Sequence, residues 1–212
     1  MTFKLQKRPD MASRRADMSK RDADGVPQNE DASYYLSDPE DCFGGMGIFA
    51  SPAAFMTFLQ SLTANDGRLL RTETVEDMFR PQLDHECEQS LNDELDSRRE
   101  TNHGGLLPLV GIRRNHGLGG LMAMEDCDGT NWRQQGSMGW GGFPNLYWVR
   151  ASLLLFLRYD ANKLLTQCID PKAGICILIA FQLIPWADKQ CIELGRLFER
   201  AMYQKLNDNM EK

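Results

Sequence analysis

The chain has 212 residues, 42% hydrophobic and 25% charged, the composition of one globular domain or a large part of one, which excludes fibrous, collagen-like and fully disordered chains. With 24 basic against 30 acidic side chains the formal charge is −6, so phosphate backbones are repelled and no nucleic-acid partner is expected. The longest apolar run, residues 175–181, is far short of the roughly 20 residues that a bilayer span needs.

Residues 1–15 are basic but lack the apolar core of a secretory signal, so a cytoplasmic location with no membrane partner is expected. Residues 1–41 carry many charges and few large apolar groups, and 22–31 have the Gly, Pro, Asn and Asp content of an exposed loop. This arm is expected to contribute little core. Residues 42–49, CFGGMGIF, then mix glycine with apolar side chains, as a backbone packed closely against another surface would.

A helix is predicted to start at Ser51-Pro52: serine caps the free amides, proline suits the first helical position, and Phe55, Phe58, Leu59 and Leu62 recur at helical spacing before Gly67. A second, short helix is predicted over residues 74–79, ahead of Pro81. Residues 84–103 are acidic and polar with no apolar period. They read as a solvated loop rather than a metal site built on His85.

From Leu106 onward, residues 117–124, 132–137 and 146–149 are short glycine-, aromatic- and aliphatic-rich segments separated by turn residues, and read as strands of an antiparallel sheet. Residues 175–183 are almost continuously apolar, like a central strand covered on both faces. A last helix is predicted over residues 188–206, with Cys191, Leu194, Phe198 and Met202 forming one stripe that lies on the sheet. Between the strand at 146–149 and the turn Asp170-Pro171-Lys172-Ala173-Gly174 stands RASLLLFLRYDANKLLTQC, residues 150–168. It has no turn residues at its ends and interrupts an otherwise complete hairpin, so an insertion, a retained intron, is expected there.

Several familiar chemical signatures fail on inspection. The loop at Gly45-Met46-Gly47 lacks the preceding strand and downstream acid of a dinucleotide site, and Ser137 lies in QGSMG, where glutamine takes the first glycine position of a nucleophile elbow. His85, His103 and His116 have no neighbouring serine or cysteine whose activation the sequence supports. The six cysteines, Cys42, Cys87, Cys127, Cys168, Cys176 and Cys191, show no CxxC spacing and read as reduced, mostly buried thiols. No metal and no cofactor is expected. The informative cluster is GSMGWGGFPN, residues 136–145, a glycine-dense strand that a ligand or a second backbone can approach closely and whose amides can bond an acyl oxygen. Spacing alone leaves a tightly packed sheet edge equally open.

Taken together, MTFKLQKRPDMASRRAD, EDCFGGMGIFASP, HGLGGLMAMEDCDGTNWRQQGSMGWGGFPN, IDPKAGIC and QLIPW resemble the C-terminal half of fungal serine acyltransferases of the lovastatin side-chain type, within the class C β-lactamase-like serine hydrolases. The resemblance runs from Met1 to about Lys205, broken only at residues 150–168, and implies one β-lactamase-related domain of which 1–212 is the C-terminal part. It implies an α+β, partial β-lactamase/transpeptidase-like fold, an antiparallel sheet packed with helices and a C-terminal helix on the sheet. It also implies transfer of an acyl group, from a thioester or an acyl carrier domain, to a polyketide alcohol. The substrate-binding residues carried over are Tyr34, Trp140, Gly141, Gly142, Phe143, Ile184 and Trp186.

The family's acylated serine and its lysine form an SxxK motif, and a tyrosine assists. No serine here is followed three residues later by lysine and no YxN triplet occurs, so those groups are expected upstream of the position matched by Met1 and the chain alone is expected to be inactive. An esterase or β-lactamase-like hydrolase on the same scaffold, or a non-catalytic truncated product, is the alternative. A half-domain is further expected to expose apolar faces and associate through them.

Overall fold

A computed structural model describes residues 1–30, 40–41, 47–97, 111–127, 132–142, 145–150, 175–184 and 188–210. The chain opens with a 3-10 turn, Leu5–Lys7, and a single helical turn, α1 (Pro9–Ala12). It continues into an antiparallel hairpin of β1 (Met18–Arg21) and β2 (Pro27–Glu30). Asp22 closes the hairpin, its carboxylate accepting from the amides of Asp24 and Val26, while Gly25 supplies a φ of 80°. The arm therefore joins the fold, contrary to the reading of 22–31 as loop: Leu5 and Met18 are buried, and β2 forms because β1 is itself anchored elsewhere.

Helix α2 (Pro52–Ala64) starts as its sequence dictates, with Ser51 Oγ accepting from the Ala54 amide at 3.2 Å and proline in the first turn. It ends earlier than Gly67, at Asn65, which adopts the left-handed conformation (φ 46°) that asparagine tolerates. Helix α3 (Thr72–Met78) follows. The segment read as a solvated loop is instead helix α4 (His85–Ser97). Asp84 caps it, its carboxylate accepting from the Cys87 amide at 2.9 Å, and Leu91 and Leu95, four residues apart, pack on the core. Two leucines in an acidic run are too few for periodicity to announce the helix.

The main sheet has five strands in the order β3 (Arg114–His116), β4 (Leu121–Ala123), β5 (Met138–Gly142), β6 (Asn145–Arg150) and β7 (Ile177–Phe181), every pair antiparallel. Strand β3 and the Gly117–Gly120 turn replace the single strand expected over 117–124. Residues 132–137 are not a strand, because their polar groups are spent on α5 and on turns. Within the stretch 175–183, read as a central strand covered on both faces, β7 is covered on both faces by α2 and α5, but among the described residues it pairs with β6 alone and so borders the sheet. After Gln182 the chain enters β8 (Leu183–Ile184), which pairs in parallel with β1 and makes a second sheet ordered β2-β1-β8. The link is tight, with the Ser19 amide donating to the Gln182 carbonyl at 2.8 Å.

Side-chain alternation along β7 builds two cores. Cys176 and Leu178 face α2, meeting Met56 and Leu59, whereas Ile177 and Ile179 face the opposite side with Leu121, Ala123, Trp132 and Tyr203. Helix α5 (Lys189–Met210) covers that second side. Cys191, Phe198 and Met202 face inward as expected, but Leu194 is 56% exposed. Its place on the inner face is taken by Gly195, where an added Cβ would lie 3.3 Å from Ile179. Thus α5 approaches the sheet through a glycine. No described helix is long and apolar enough to cross a membrane.

Candidate functional site

Register places the glycine-rich strand in an unusual position. Strand β4 pairs with β5 only at Leu121↔Gly139 and Met122↔Met138, while β6 follows β5 out to Gly142↔Leu146. Residues Trp140, Gly141 and Gly142 therefore extend past the start of β4, and their edge on that side has no β4 partner. Continuing the register, Trp140 stands opposite Gly120, which brings no side chain to cover it. Trp140 is 44% exposed. Gly120 has to be glycine, because a Cβ there would come within 2.6 Å of the Gly139 carbonyl oxygen.

The turn that precedes β4 is fixed from three directions. The Gly117 amide donates to the Gly120 carbonyl at 2.9 Å, Leu118 donates to Met78 at the end of α3 at 3.1 Å, and the His116 carbonyl accepts from Gln82 at 2.9 Å. His116 ends β3, with its ring centroid 5.4 Å from that of Trp140 and the two planes at 75°, an edge-to-face contact. Its Nδ1–H donates to the Gly117 carbonyl at 2.5 Å, which holds the ring orientation. Leu118, at the tip of the turn, is 63% exposed.

Two ion pairs, one buried and one half-buried, tie segments around the sheet to α5 and its start. Arg133, in the segment leading to β5, forms a two-pronged pair with Glu199 of α5, both essentially buried, and the Arg200 guanidinium stacks on Trp132 at 4.2 Å. Arg21 of β1 forks onto Asp188 at 2.6 and 3.1 Å, and Asp188 also caps α5 through the Cys191 amide at 2.9 Å. The Arg21 hydrogen bonds hold the Asp188 carboxyl down at about 2. Beneath β3, Asn115 and then Arg113 keep Glu88 of α4 below the ordinary carboxylate range, against the opposing effect of burial.

Of the substrate-binding residues carried over from the resemblance, Trp140, Gly141 and Gly142 lie together on the overhanging part of β5. Ile184 lies in β8 opposite Lys20 and is buried, at 7% exposure. Tyr34, Phe143 and Trp186 lie outside the described residues, as do Tyr35, His103, residues 42–46 and residues 151–174. Ser137 is 1% exposed, its hydroxyl has no partner among the described residues, and it stands immediately ahead of a strand rather than on a strand-to-helix turn, so it is not displayed as a nucleophile elbow displays its serine. Burial pushes the Cys176 thiol up to about 12 and Cys191 to about 11, which leaves both unreactive. Sequence reasoning missed His116 and Gly120. Their only signal is the tight HGLGG turn, which sets β3 and β4 side by side and so brings His116 toward β5.

No protein-family profile matches the chain. It is 45% identical over 206 residues, 97% of its length, to the ML-236A carboxylate methylbutanoyltransferase of Penicillium citrinum, of which it covers 44%. It is 46% identical over 204 residues, 96% of its length, to the monacolin J acid methylbutanoyltransferase of Aspergillus terreus, of which it covers 45%. Among solved structures it superposes on a mutant of simvastatin synthase from Aspergillus terreus with a TM-score of 0.83 at 45% identity, over 98% of this chain and 46% of that one. The chain spans less than half the length of each. On both its sequence and its fold, the chain matches the C-terminal half of the fungal lovastatin-type side-chain acyltransferases.

Proposed function

We propose that this chain carries the acceptor- and acyl-binding half of a serine acyltransferase that moves an acyl group from a thioester, free or on a carrier domain, to a polyketide alcohol in the cytoplasm. The observation that carries the reading is the overhang of Trp140, Gly141 and Gly142 on β5, where an exposed indole stands beside backbone that β4 leaves unpaired. Strand backbone of this kind offers amides to the acyl oxygen as negative charge develops on it, and glycine lets that oxygen come close. The indole supplies an apolar wall for the acceptor. Tyr34, Phe143, Ile184 and Trp186 complete the binding surface on the strength of the resemblance.

Bond making and breaking belong to the family's SxxK serine and lysine and to its tyrosine, which this chain does not contain in that pattern. Without them the acyl transfer cannot be divided into two easier steps. The chain alone is therefore expected to gain no mass after incubation with a methylbutanoyl thioester. Mixed with the serine-bearing half of the Aspergillus terreus relative, it is expected to support transfer to monacolin J acid, and Trp140→Ala is expected to lower that transfer at least tenfold. Full transfer by the Trp140→Ala mixture, or a stable acyl adduct on the chain by itself, would overturn the reading.

A further inference from the structure

We propose that His116 is a positioning residue for the site: it sets the orientation of the Trp140 indole and, through it, the acceptor wall. The inference rests on the functional reading above and names a residue to which that reading gave no role. His116 and Trp140 sit on strands separated by β4, yet their rings meet at 5.4 Å and 75°. Two neighbouring strands normally lie about 4.8 Å apart, so side chains two strands away touch only when nothing between them intervenes. His116 pairs with Leu121 of β4, whose side chain is buried in the core, and continuing the β4–β5 register by one residue puts Gly120, which has no side chain, opposite Trp140. The backbones approach so closely at this point that a Cβ on Gly120 would lie 2.6 Å from the Gly139 carbonyl oxygen.

The imidazole is itself restrained at every level. Its backbone amide donates to Asn115 Oδ1 at 2.7 Å, its carbonyl accepts from Gln82 at 2.9 Å, and Nδ1–H is held by the Gly117 carbonyl at 2.5 Å. A ring with fixed backbone and fixed orientation, placed edge to face against an indole that is 44% exposed, is built to hold that indole rather than to follow it. A solvent-exposed tryptophan without such a support samples several rotamers, and ordering them on binding weakens affinity. His116 touches no reacting atom in this scheme, and its role passes entirely through Trp140.

The test combines a spectrum with a double-substitution cycle on the full chain. In the near-ultraviolet circular dichroism spectrum, His116→Ala should reduce the tryptophan bands by the same component that Trp140→Phe removes, and should change little further in the Trp140→Phe background. His116→Phe, which keeps an aromatic edge, should restore most of the signal. In calorimetric titrations with monacolin J acid, His116→Ala should weaken binding about threefold to tenfold, the range expected for an aromatic pair, and His116→Phe should recover it. His116→Ala acting equally in the presence and absence of Trp140, in either measurement, overturns the positioning role. A Trp140→Ala chain that binds monacolin J acid as well as the parent, or a parent that does not bind it, overturns the functional reading instead. The spectral arm then still decides the His116–Trp140 coupling.

Discussion

Gly120 shows how a single absent side chain shapes the site. Its hypothetical Cβ meets the Gly139 carbonyl oxygen at 2.6 Å, a backbone atom in mid-strand that has no rotamer with which to move aside. Gly120→Ala is therefore expected to destabilise by about 2 to 3 kcal/mol, as overpacking does, and to separate β4 from β5. Thermal unfolding followed by far-ultraviolet circular dichroism measures the first effect, and loss of the His116-dependent tryptophan bands measures the second. Asp188 makes a different kind of prediction. Its folded carboxyl lies at about 2 against an ordinary 3.8, so the unfolded chain binds this proton more readily than the folded one. The stabilisation is complete above about pH 5, is lost as pH falls from there toward about 2, and amounts to about 2 kcal/mol. Denaturant unfolding of Asp188→Asn should show a lower midpoint at pH 7 and a flatter dependence on pH between 5 and 3; an unchanged slope would exclude the Arg21 pair as the source.

Among the elements, the β6–β7 pairing bears most directly on the proposed insertion at residues 150–168. Val149 pairs with Ile177 and Leu146 with Ala180, so these strands are register partners although residues 150–176 intervene in sequence. Removing residues 150–168 would bring Ile169 into the position of Arg150, opposite Cys176, and leave Asp170-Pro171-Lys172-Ala173-Gly174 to close the hairpin. Proline and glycine are where a tight turn needs them. The insertion proposal therefore predicts that the shortened chain folds, with a melting temperature at or above that of the parent; a shortened chain that fails to fold would exclude it. The other elements differ in how openly they declare themselves. Helix α2 is legible because its cap, its proline and four apolar residues all lie within one local window. Helix α4 is obscured because its two inward leucines mean something only once β3 supplies Arg114 and Asn115 to hold Asn92 and Glu88.

At the scale of the whole molecule, several large apolar side chains stand open to solvent. Leu194 and Leu197 on α5 are 56% and 55% exposed, and Leu118 and Trp140 are also open to solvent. Apolar side chains grouped on one helix favour association in water. The isolated chain is expected to sediment as a species larger than a monomer at micromolar concentration, and the double substitution Leu194→Glu, Leu197→Glu is expected to shift it toward the monomer. A chain that is already monomeric would show that these leucines drive no contact.

The sequence by itself determined the family, the mixed helix-and-sheet class, the start of α2 and the glycine-rich strand, because each is carried by residues that are neighbours along the chain. It also marked residues 150–168 as the candidate insertion that the shortened chain tests, since a turn separated from its strand is a local anomaly. Only the tertiary structure decided that β1 of the arm pairs with β8, that Gly195 rather than Leu194 faces the sheet, and that His116 touches Trp140. Each of these depends on strand register and on how closely two backbones approach. Those quantities are set by packing between segments far apart in sequence, and no single window of residues contains them.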